Sequence, residues 1–305
     1  MCATCGCSDA AVIRLYPADD PERNGTGNSH HNQPHHHHGA AGHDHGHDEQ
    51  HGHDEQHGHD HGDHDPDDPV HRIFTDPATD QRTVLLQQKV LAKNDRLAQE
   101  NREWLRERGV LAVNLMSSPG AGKTTLLERT ARELADKVTM SVIEGDQAAA
   151  LDARRIRAAG CQVVQINTGA GCHLDAEMVA EGLRLLDPPG GSLVVIENVG
   201  NLVCPALFDL GEQARVVLAS VTEGDDKPVK YPHMFRRADL VLVSKADLLP
   251  YVDFDIRRHA ADVRRVSPDA LMLQLSATTG AGMQEWYNWL RRRTPAPPHE
   301  EDLRM

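Results

Sequence analysis

Residues 117–124 read Ser-Ser-Pro-Gly-Ala-Gly-Lys-Thr, and this octapeptide restricts the possible folds more than any other stretch of the chain. It follows an apolar run from Val110 to Met116 and opens a helix-like segment from Thr124 to Lys137. A strand, a glycine-rich turn and a helix in this order form the context of a phosphate-binding loop. The amide N–H groups of such a turn point at an anion, and the helix N-terminus adds its dipole. The sequence therefore predicts a nucleotide-binding domain.

The side chains of this loop have separate predicted tasks. Lys123 is expected to reach the β- and γ-phosphates, and the Thr124 hydroxyl is expected to ligate Mg²⁺. Ser117 stands where the usual pattern has its first glycine, and a small residue there still permits the turn. The predicted nucleotide-binding residues of the loop are Gly120, Ala121, Gly122, Lys123, Thr124 and Thr125.

Short apolar runs alternate with helical stretches after the loop, which predicts an α/β fold with a mainly parallel sheet flanked by helices. In such a sheet, ligands bind at the carboxyl ends of the strands. The expected strands are Val138–Ile143, Gln162–Ile166, Leu193–Ile196, Val216–Ser220, Leu240–Val243 and Leu271–Leu275.

Two strand ends indicate that the base is guanine. Ser244-Lys245-Ala246-Asp247 fits the pattern [NTS]-K-x-D, whose carboxylate accepts from the ring N–H and the exocyclic amine of guanine. Adenine offers no such pair of donors, and the Lys245 stem can pack on the base. Ser276 and Ala277, after the last predicted strand, resemble the supporting guanine loop of GTPases. GTP and GDP are therefore preferred to adenine nucleotides.

Two acidic strand ends predict the Mg²⁺ and hydrolysis site. Glu197 begins Glu-Asn-Val-Gly, placed where many GTPases carry D-x-x-G, so Gly200 is expected to sense the γ-phosphate. Asp146 is expected to hold Mg²⁺ or orient the attacking water. Lys123, Asp146 and Glu197 are thus the predicted catalytic residues, and Thr124, Asp146 and Glu197 the Mg²⁺ ligands. No glutamine suits the water-positioning role, which predicts slow hydrolysis typical of a switch.

Cysteine and histidine mark three candidate transition-metal sites. Cys2, Cys5 and Cys7 place three thiols at the N-terminus, where no core can bury them, and such thiols can converge on one soft cation. Residues 29–71 hold 16 of the 20 histidines and almost nothing apolar, which predicts a disordered, loosely metal-binding tract. An expression tag is the competing interpretation, but the longest uninterrupted run, His35–His38, is only four residues.

The third candidate combines Cys172 and His173 with Cys204, which follows Gly200 by four residues. Both loops are predicted to leave strands at the nucleotide end of the sheet, so the three side chains are expected to meet. Two thiolates and one imidazole leave a further position for water or a second subunit. Cys161 is interpreted instead as a buried apolar residue.

Composition excludes some functions. The net charge of −14 argues against nucleic acid as a partner, and no apolar run approaches the roughly 18 residues of a membrane span. We therefore expect a cytoplasmic protein.

A helix is predicted from Thr83 to Gly109, with Leu86, Val90, Leu97 and Trp104 packed against the domain. The expected organisation is 1–28 cysteine motif and linker, 29–71 histidine tract, 72–109 helical lead-in, 110–294 GTPase domain and 295–305 disordered tail.

Together these motifs resemble the HypB family of hydrogenase-maturation GTPases. The resemblance covers nearly the whole chain and rests on the N-terminal C-x-x-C-G-C, SSPGAGKTTLL, VIEGDQ, NTGAGCHLDA, ENVGNLVCPA, TEGDDKPVKYP and SKADLL.

The resemblance implies GTP hydrolysis coupled to nickel delivery for [NiFe] hydrogenase, and a homodimer formed through nucleotide. It implies a HypA-type nickel chaperone and the hydrogenase large-subunit precursor as partners. It further implies a tight nickel site at Cys2, Cys5 and Cys7, and nickel or zinc at Cys172, His173 and Cys204. A GTPase chaperone for another metalloenzyme such as urease, a metal store with a structural nucleotide, and a small-molecule kinase remain alternatives.

Overall fold

A computed structural model of the chain describes residues 12–16, 77–146, 151–169 and 171–295. The predicted nickel ligands Cys2, Cys5 and Cys7, the histidine tract and the tail beyond residue 295 lie outside the described residues.

The described elements alternate between strands and helices along most of the chain. The strands are β1 Val12–Tyr16, β2 Leu111–Ser117, β3 Met140–Asp146, β4 Gln162–Asn167, β5 Leu193–Glu197, β6 Ala214–Ser220, β7 Leu240–Ser244 and β8 Leu271–Gln274. The α-helices are α1 Pro77–Glu107, α2 Lys123–Leu134, α3 Leu151–Ala158, α4 Ala176–Leu186, α5 Lys227–Lys230, α6 Pro232–Phe235, α7 Ile256–Val266 and α8 Met283–Arg293.

The strands form one eight-stranded sheet in the order β1-β4-β3-β5-β2-β6-β7-β8. Every neighbouring pair is parallel except β1 and β4, which confirms the predicted α/β class. Because β2 lies inside the sheet, all seven of its residues are buried, and they read as a nearly continuous apolar run. The loops after β2, β3, β5, β7 and β8 therefore leave the same edge of the sheet.

Helices cover both faces of this sheet. Leu115 packs with Leu127 of α2 and Trp286 of α8 on one face, whereas Leu105 of α1 and Leu183 of α4 pack on the other. Trp286 Nε1 donates to Thr130 Oγ1 at 3.0 Å, so the buried indole is satisfied. The two cores hold the sheet, and hence the loops at its carboxyl edge, in fixed relative positions.

The edge strand β1 is an element that the sequence patterns do not predict, and it lies in the segment interpreted as a linker. Val12–Tyr16 pairs antiparallel with β4, with Ile13 opposite Ile166. Ile13 packs against the core while Arg14 and Leu15 are exposed, so these five residues lack a clean alternation of apolar and polar side chains. Long-range pairing with a strand about 150 residues away decides this element.

The predicted lead-in helix exists as α1, but its buried stripe differs from the expected one. Val90 is 45% exposed, whereas Ala98 and Leu105 are buried together with two asparagines. Asn101 Nδ2 donates to the carbonyls of Ala176 and Leu210. Asn94 Nδ2 donates to the Asp209 carbonyl, and its Oδ1 accepts from the Ala176 amide. A search for apolar spacing misses such residues because amides, too, can form the buried face of a helix. No described helix has the length and apolar character needed to cross a membrane.

Candidate functional site

The phosphate-binding loop joins the inner strand β2 to helix α2. Gly120 and Gly122 adopt φ values of 75° and 98°, which lie in the left-handed region that favours glycine, and Gly122 directly precedes the first turn of α2. Lys123 Nζ donates to Ser117 Oγ at 3.0 Å. The residue that departs from the usual glycine therefore contacts the loop lysine. Burial lowers the pKa of Lys123, while the Glu197 carboxylate opposes that shift.

A cavity of about 490 Å³ opens beside this loop at the carboxyl ends of β2, β3 and β5. It contains the predicted catalytic residues Lys123, Asp146 and Glu197, together with Thr124 and Gly200. Asp152 and Arg155 of α3 also line it, and sequence analysis assigned them no role. The remaining lining residues are Pro119, Gly120, Gly122, Thr125, Glu144, Gly145, Asn198 and Val199.

The carboxylates in this cavity fit a bound Mg²⁺. Glu197 Oε1 accepts from Thr124 Oγ1 at 2.9 Å, which brings two predicted ligands together. The second oxygens of Glu197 and Glu144 are buried and accept no hydrogen bond from any described residue. Burial raises the pKa of Glu197 to about 7, and Lys123 offsets part of this effect. Buried acids with orphaned oxygens next to a phosphate-binding loop are a suitable donor set for a divalent cation, and oxygen ligands suit Mg²⁺.

Glu144 is a buried acid of the cavity that is assigned no role from the sequence, where Asp146 is the predicted Mg²⁺ ligand. It lies on β3, two residues before Asp146, and is only 2% exposed. Burial raises the pKa of Glu144 to about 8, and the nearby carboxylates of Glu197 and Asp146 add to the effect. The sequence signal was present in Glu-Gly-Asp, but a pattern cannot show which of two acids is buried.

The Glu144→Gln variant is expected to be more stable than the parent, by about 1–3 kcal/mol at pH 8 without nucleotide or Mg²⁺. The folded-state pKa lies above the unfolded value, so the stability associated with protonated Glu144 is complete below about pH 4.5 and is lost as pH rises through about 8. Gln mimics the protonated acid at every pH. Urea unfolding should show the gap shrinking towards about pH 5. The exposed control Glu181→Gln should change stability by less than about 0.5 kcal/mol, and a pH-independent gap for Glu144→Gln would contradict the assignment.

The predicted base-recognition loops are attached to the phosphate-binding loop by hydrogen bonds. Ser244 Oγ donates to the Ala121 carbonyl at 2.9 Å, and Lys245 Nζ donates to the Gly120 carbonyl at 2.8 Å. Lys245 has a φ of 56°, a left-handed conformation that is uncommon for a residue with a side chain. The exposed Asp247 follows two residues later.

The second base loop lies next to the first. The Ala246 amide donates to the Leu275 carbonyl at 3.1 Å, which joins the turn after β7 to the turn after β8. Ser276 is buried and its Oγ accepts from the Thr279 amide, so this loop is internally fixed. Arg129 of α2 donates to the Ala277 carbonyl at 3.0 Å. The structure thus places Lys245, Ser276 and Ala277 in loops that are tied to one another and to the phosphate-binding region.

Asp247→Ala is expected to weaken GTP binding roughly a hundredfold, because two hydrogen bonds from guanine to a carboxylate would be lost. ATP binding should change by less than about threefold, since adenine lacks that pair of donors. Fluorescence titration with labelled nucleotides measures both affinities. Asp253→Ala, at an exposed acid in the following loop, serves as the matched control and should bind GTP like the parent. Equal losses for GTP and ATP would contradict the predicted role of Asp247.

The structure brings the predicted metal triad of Cys172, His173 and Cys204 together. One potential ligand atom from each lies within 4.8 Å of the other two. The two sulfur atoms are 2.9 Å apart, and Cys172 Sγ lies 3.7 Å from His173 Nδ1. These residues come from separate loops, after β4 and after β5, and meet only in the folded domain. Two thiols and an imidazole are a donor set for a transition metal.

The imidazole of the triad is held in position. His173 stacks on Phe208 with ring centroids 3.9 Å apart, and burial lowers the pKa of His173 although Asp175 opposes the shift. A lowered pKa favours the neutral imidazole, which is the form that binds metal. Cys161 is buried elsewhere in the core and burial raises its pKa to about 12, as suits the apolar role predicted for it.

An inner strand that leads into a glycine-rich anion loop, with carboxylates at the ends of the neighbouring strands, defines a P-loop nucleoside triphosphatase. The family model of the CobW/HypB/UreG nucleotide-binding domain matches residues 111–274. The chain belongs to the HypB family of hydrogenase maturation factors, which are P-loop GTPases. The resemblance inferred from the motifs is therefore confirmed.

Individual relatives agree with this membership. The hydrogenase maturation factor HypB of Rhizobium leguminosarum bv. viciae is 53% identical over 210 residues, covering 69% of this chain and 70% of its own. The HypB of Escherichia coli (strain K12) is 53% identical over 215 residues, covering 70% and 74%. Among solved structures, HypB from Archaeoglobus fulgidus has a TM-score of 0.64 at 43% identity, covering 67% of this chain and all of that one. HypB from Helicobacter pylori, in complex with nickel, has a TM-score of 0.62 at 39% identity, covering 66% and 95%.

Proposed function

We propose that the chain is a GTP-hydrolysing nickel metallochaperone, which stores Ni²⁺ and delivers it for assembly of the [NiFe] hydrogenase active site. One observation carries the proposal: a thiol–imidazole triad lies at the same sheet edge as the nucleotide cavity. The segment that contains Glu197 and Gly200 in the cavity continues directly to Cys204 of the triad. The nickel complex of the Helicobacter pylori relative supports nickel as the cargo. Zinc is the second ion that this donor set would accept.

The residues of the cavity would act mainly by positioning and charge. Lys123 would hold the β- and γ-phosphates, and Thr124, Asp146 and Glu197 would hold Mg²⁺. When bound, Mg²⁺ neutralises charge that develops on the transferred phosphoryl group. Asp146 would hold Mg²⁺ or orient the attacking water. No glutamine lines the described part of the cavity, so we expect slow hydrolysis of GTP, as is typical of a switch.

The nucleotide state would control the metal through the loops that both sites share. GTP would order the segments around Asp146 and from Glu197 to Gly200, and this order would favour a homodimer. Hydrolysis would release those segments and change the geometry of the triad. Delivery would then involve a HypA-type nickel chaperone and the hydrogenase large-subunit precursor. The thiols of Cys2, Cys5 and Cys7 would form a tight nickel site, and the histidine tract would serve as a rapidly exchanging store.

The test is the affinity of the triad for Ni²⁺ with GDP and with a non-hydrolysable GTP analogue. Full-length protein in which Cys2, Cys5 and Cys7 are replaced by serine isolates the thiolate-to-nickel absorption of the triad. We expect the two dissociation constants to differ by at least about fivefold, because coupled sites typically influence each other by this much or more. Equal constants would contradict the coupling and favour a metal store in which nucleotide only stabilises the fold.

A urease-directed role is the second candidate. One relative, from Helicobacter pylori, is a hydrogenase/urease maturation factor HypB and is 39% identical over 218 residues. Delivery assays with the two apo-enzymes distinguish the targets: the proposal requires nickel-dependent activation of [NiFe] hydrogenase in excess of urease activation.

A further inference from the structure

We infer that Asn198 is the positioning residue that transmits the nucleotide state to the metal triad. This inference rests on the proposed function, because it assigns a residue to the coupling described there. Asn198 follows β5 directly, lines the nucleotide cavity and is only 1% exposed. Its neighbour Glu197 accepts a hydrogen bond from the Thr124 hydroxyl of the phosphate-binding region. The residue therefore begins the stretch that connects the cavity with Cys204.

The side-chain amide of Asn198 joins three parts of the molecule. Its Oδ1 accepts from the Leu174 amide at 3.3 Å and from the Val199 amide at 3.0 Å. Its Nδ2 donates to Asn114 Oδ1 at 3.3 Å, which anchors it to β2. Leu174 directly follows His173 in the loop after β4 that carries Cys172 and His173, which we call the triad loop. The amide thus links the backbone beside a metal ligand to the backbone that follows a predicted Mg²⁺ ligand.

Leu174 also contacts the other acidic strand end. The Leu174 side chain is fully buried and packs so closely on Gly145 that a Cβ at this glycine would lie 2.7 Å from Leu174 Cγ. Gly145 separates Glu144 from Asp146 in the cavity wall. A shift of either acidic segment would therefore press on the same residue of the triad loop. Close-packed contacts of this kind transmit displacement because the interior has little free volume.

A second asparagine makes the connection at the triad end. Asn201 Nδ2 donates to the Cys172 carbonyl at 3.3 Å, and Asn201 Oδ1 accepts from the Val203 amide at 2.9 Å. Between these asparagines, Gly200 packs against Pro119 of the phosphate-binding loop so closely that a Cβ would lie 3.0 Å from Pro119 Cα. The stretch from Glu197 to Cys204 therefore touches the nucleotide loop and the triad loop in turn.

These contacts make Asn198 the buried residue that links the nucleotide cavity to the triad loop. A nucleotide-dependent movement of Glu197 or Gly200 would displace Asn198. If the carboxylate segment moves, either the Leu174 amide follows Asn198 Oδ1 or a buried donor loses its acceptor. Movement of Leu174 in turn changes the position of His173 relative to Cys204. Such a coupling must be reciprocal, so metal binding would also change nucleotide affinity.

The test measures the ratio of Ni²⁺ dissociation constants with GDP and with the GTP analogue. It uses full-length protein with Cys2, Cys5 and Cys7 replaced by serine, with and without Asn198→Ala. We expect the parent ratio to differ from one by at least about fivefold and the Asn198→Ala ratio to fall within about twofold of one. The control Asn101→Ala removes a different buried side-chain amide, which donates to two backbone carbonyls, and it should keep the parent ratio.

The outcomes separate this inference from the proposed function. A parent ratio of one contradicts the coupling itself, whereas a parent ratio retained in Asn198→Ala overturns only the role of Asn198. Should Asn198→Ala fail to fold, hydrogen exchange of the Leu174 amide in the unsubstituted chain decides the question. We expect its protection to differ between the GDP and GTP-analogue states, and equal protection would overturn the inference.

Discussion

Lys123→Ala is expected to lower GTP hydrolysis by roughly 10²–10³-fold, the effect of removing one charge-stabilising donor from an active site. The ammonium is buried in the cavity beside Ser117. Arg155 also lines the cavity, but it lies on α3 and is paired with Glu128 of α2 rather than held within the loop. Loss of the ammonium leaves the developing phosphate charge to the backbone amides and Mg²⁺. Single-turnover hydrolysis at saturating GTP measures the change, and thermal unfolding confirms that the variant is folded.

The exposed Lys137 lies just beyond the C-terminus of the same helix and provides the matched control. Lys137→Ala should hydrolyse GTP at the parent rate, within about twofold. If Lys123→Ala also stayed within about threefold of the parent, the assigned role of this lysine would be wrong. The Lys123→Ala variant also distinguishes a chaperone from a metal store. A store would retain nickel uptake and release, whereas delivery to apo-hydrogenase should fail without hydrolysis.

Cys204→Ser is expected to weaken Ni²⁺ binding at the triad by at least roughly a hundredfold, because even changes in the outer shell of metal sites cost 10–100-fold. The substitution nearly preserves size and replaces a soft thiolate with a poor hydroxyl ligand. It also removes a sulfur that lies 2.9 Å from Cys172 Sγ. Chelator competition gives the affinity, and the thiolate-to-nickel absorption should decrease, in full-length protein with Cys2, Cys5 and Cys7 replaced by serine.

Cys161→Ala provides the control for loss of a thiol. Cys161 is 3% exposed and packs in the core away from the triad, so its replacement should leave nickel affinity unchanged within about twofold. GTP binding to Cys204→Ser should also persist, since Cys204 does not line the nucleotide cavity. Nickel affinity in Cys204→Ser within about threefold of the parent would remove the triad from the proposed function.

Much of the sheet and both predicted sites follow from local patterns. Short apolar runs predicted seven of the eight strands to within about three residues at their ends. Six of the seven are inner strands with largely buried side chains, and β8 is an edge strand whose apolar residues are partly exposed. The glycines of residues 117–124 predicted the loop because left-handed backbone there requires glycine, as the φ values of Gly120 and Gly122 show. Adjacent Cys172 and His173 marked one half of the triad by residue type alone.

The remaining features depend on contacts between distant segments. Local sequence did not reveal β1, which exists by pairing with β4, or the burial of Asn94 and Asn101 in α1. Glu144 and Asp146 are both acids in the same sequence pattern, and only burial in the folded domain, reinforced by the nearby Glu197 carboxylate, gives Glu144 its raised pKa.

The sequence by itself determined which chemical groups are available: an anion loop, acids for a cation, and thiols with imidazole. Tertiary structure alone decided that the Leu174 amide bonds Asn198 and that Cys172 meets Cys204, because hydrogen bonds and close packing act over a few ångströms between residues far apart in the chain.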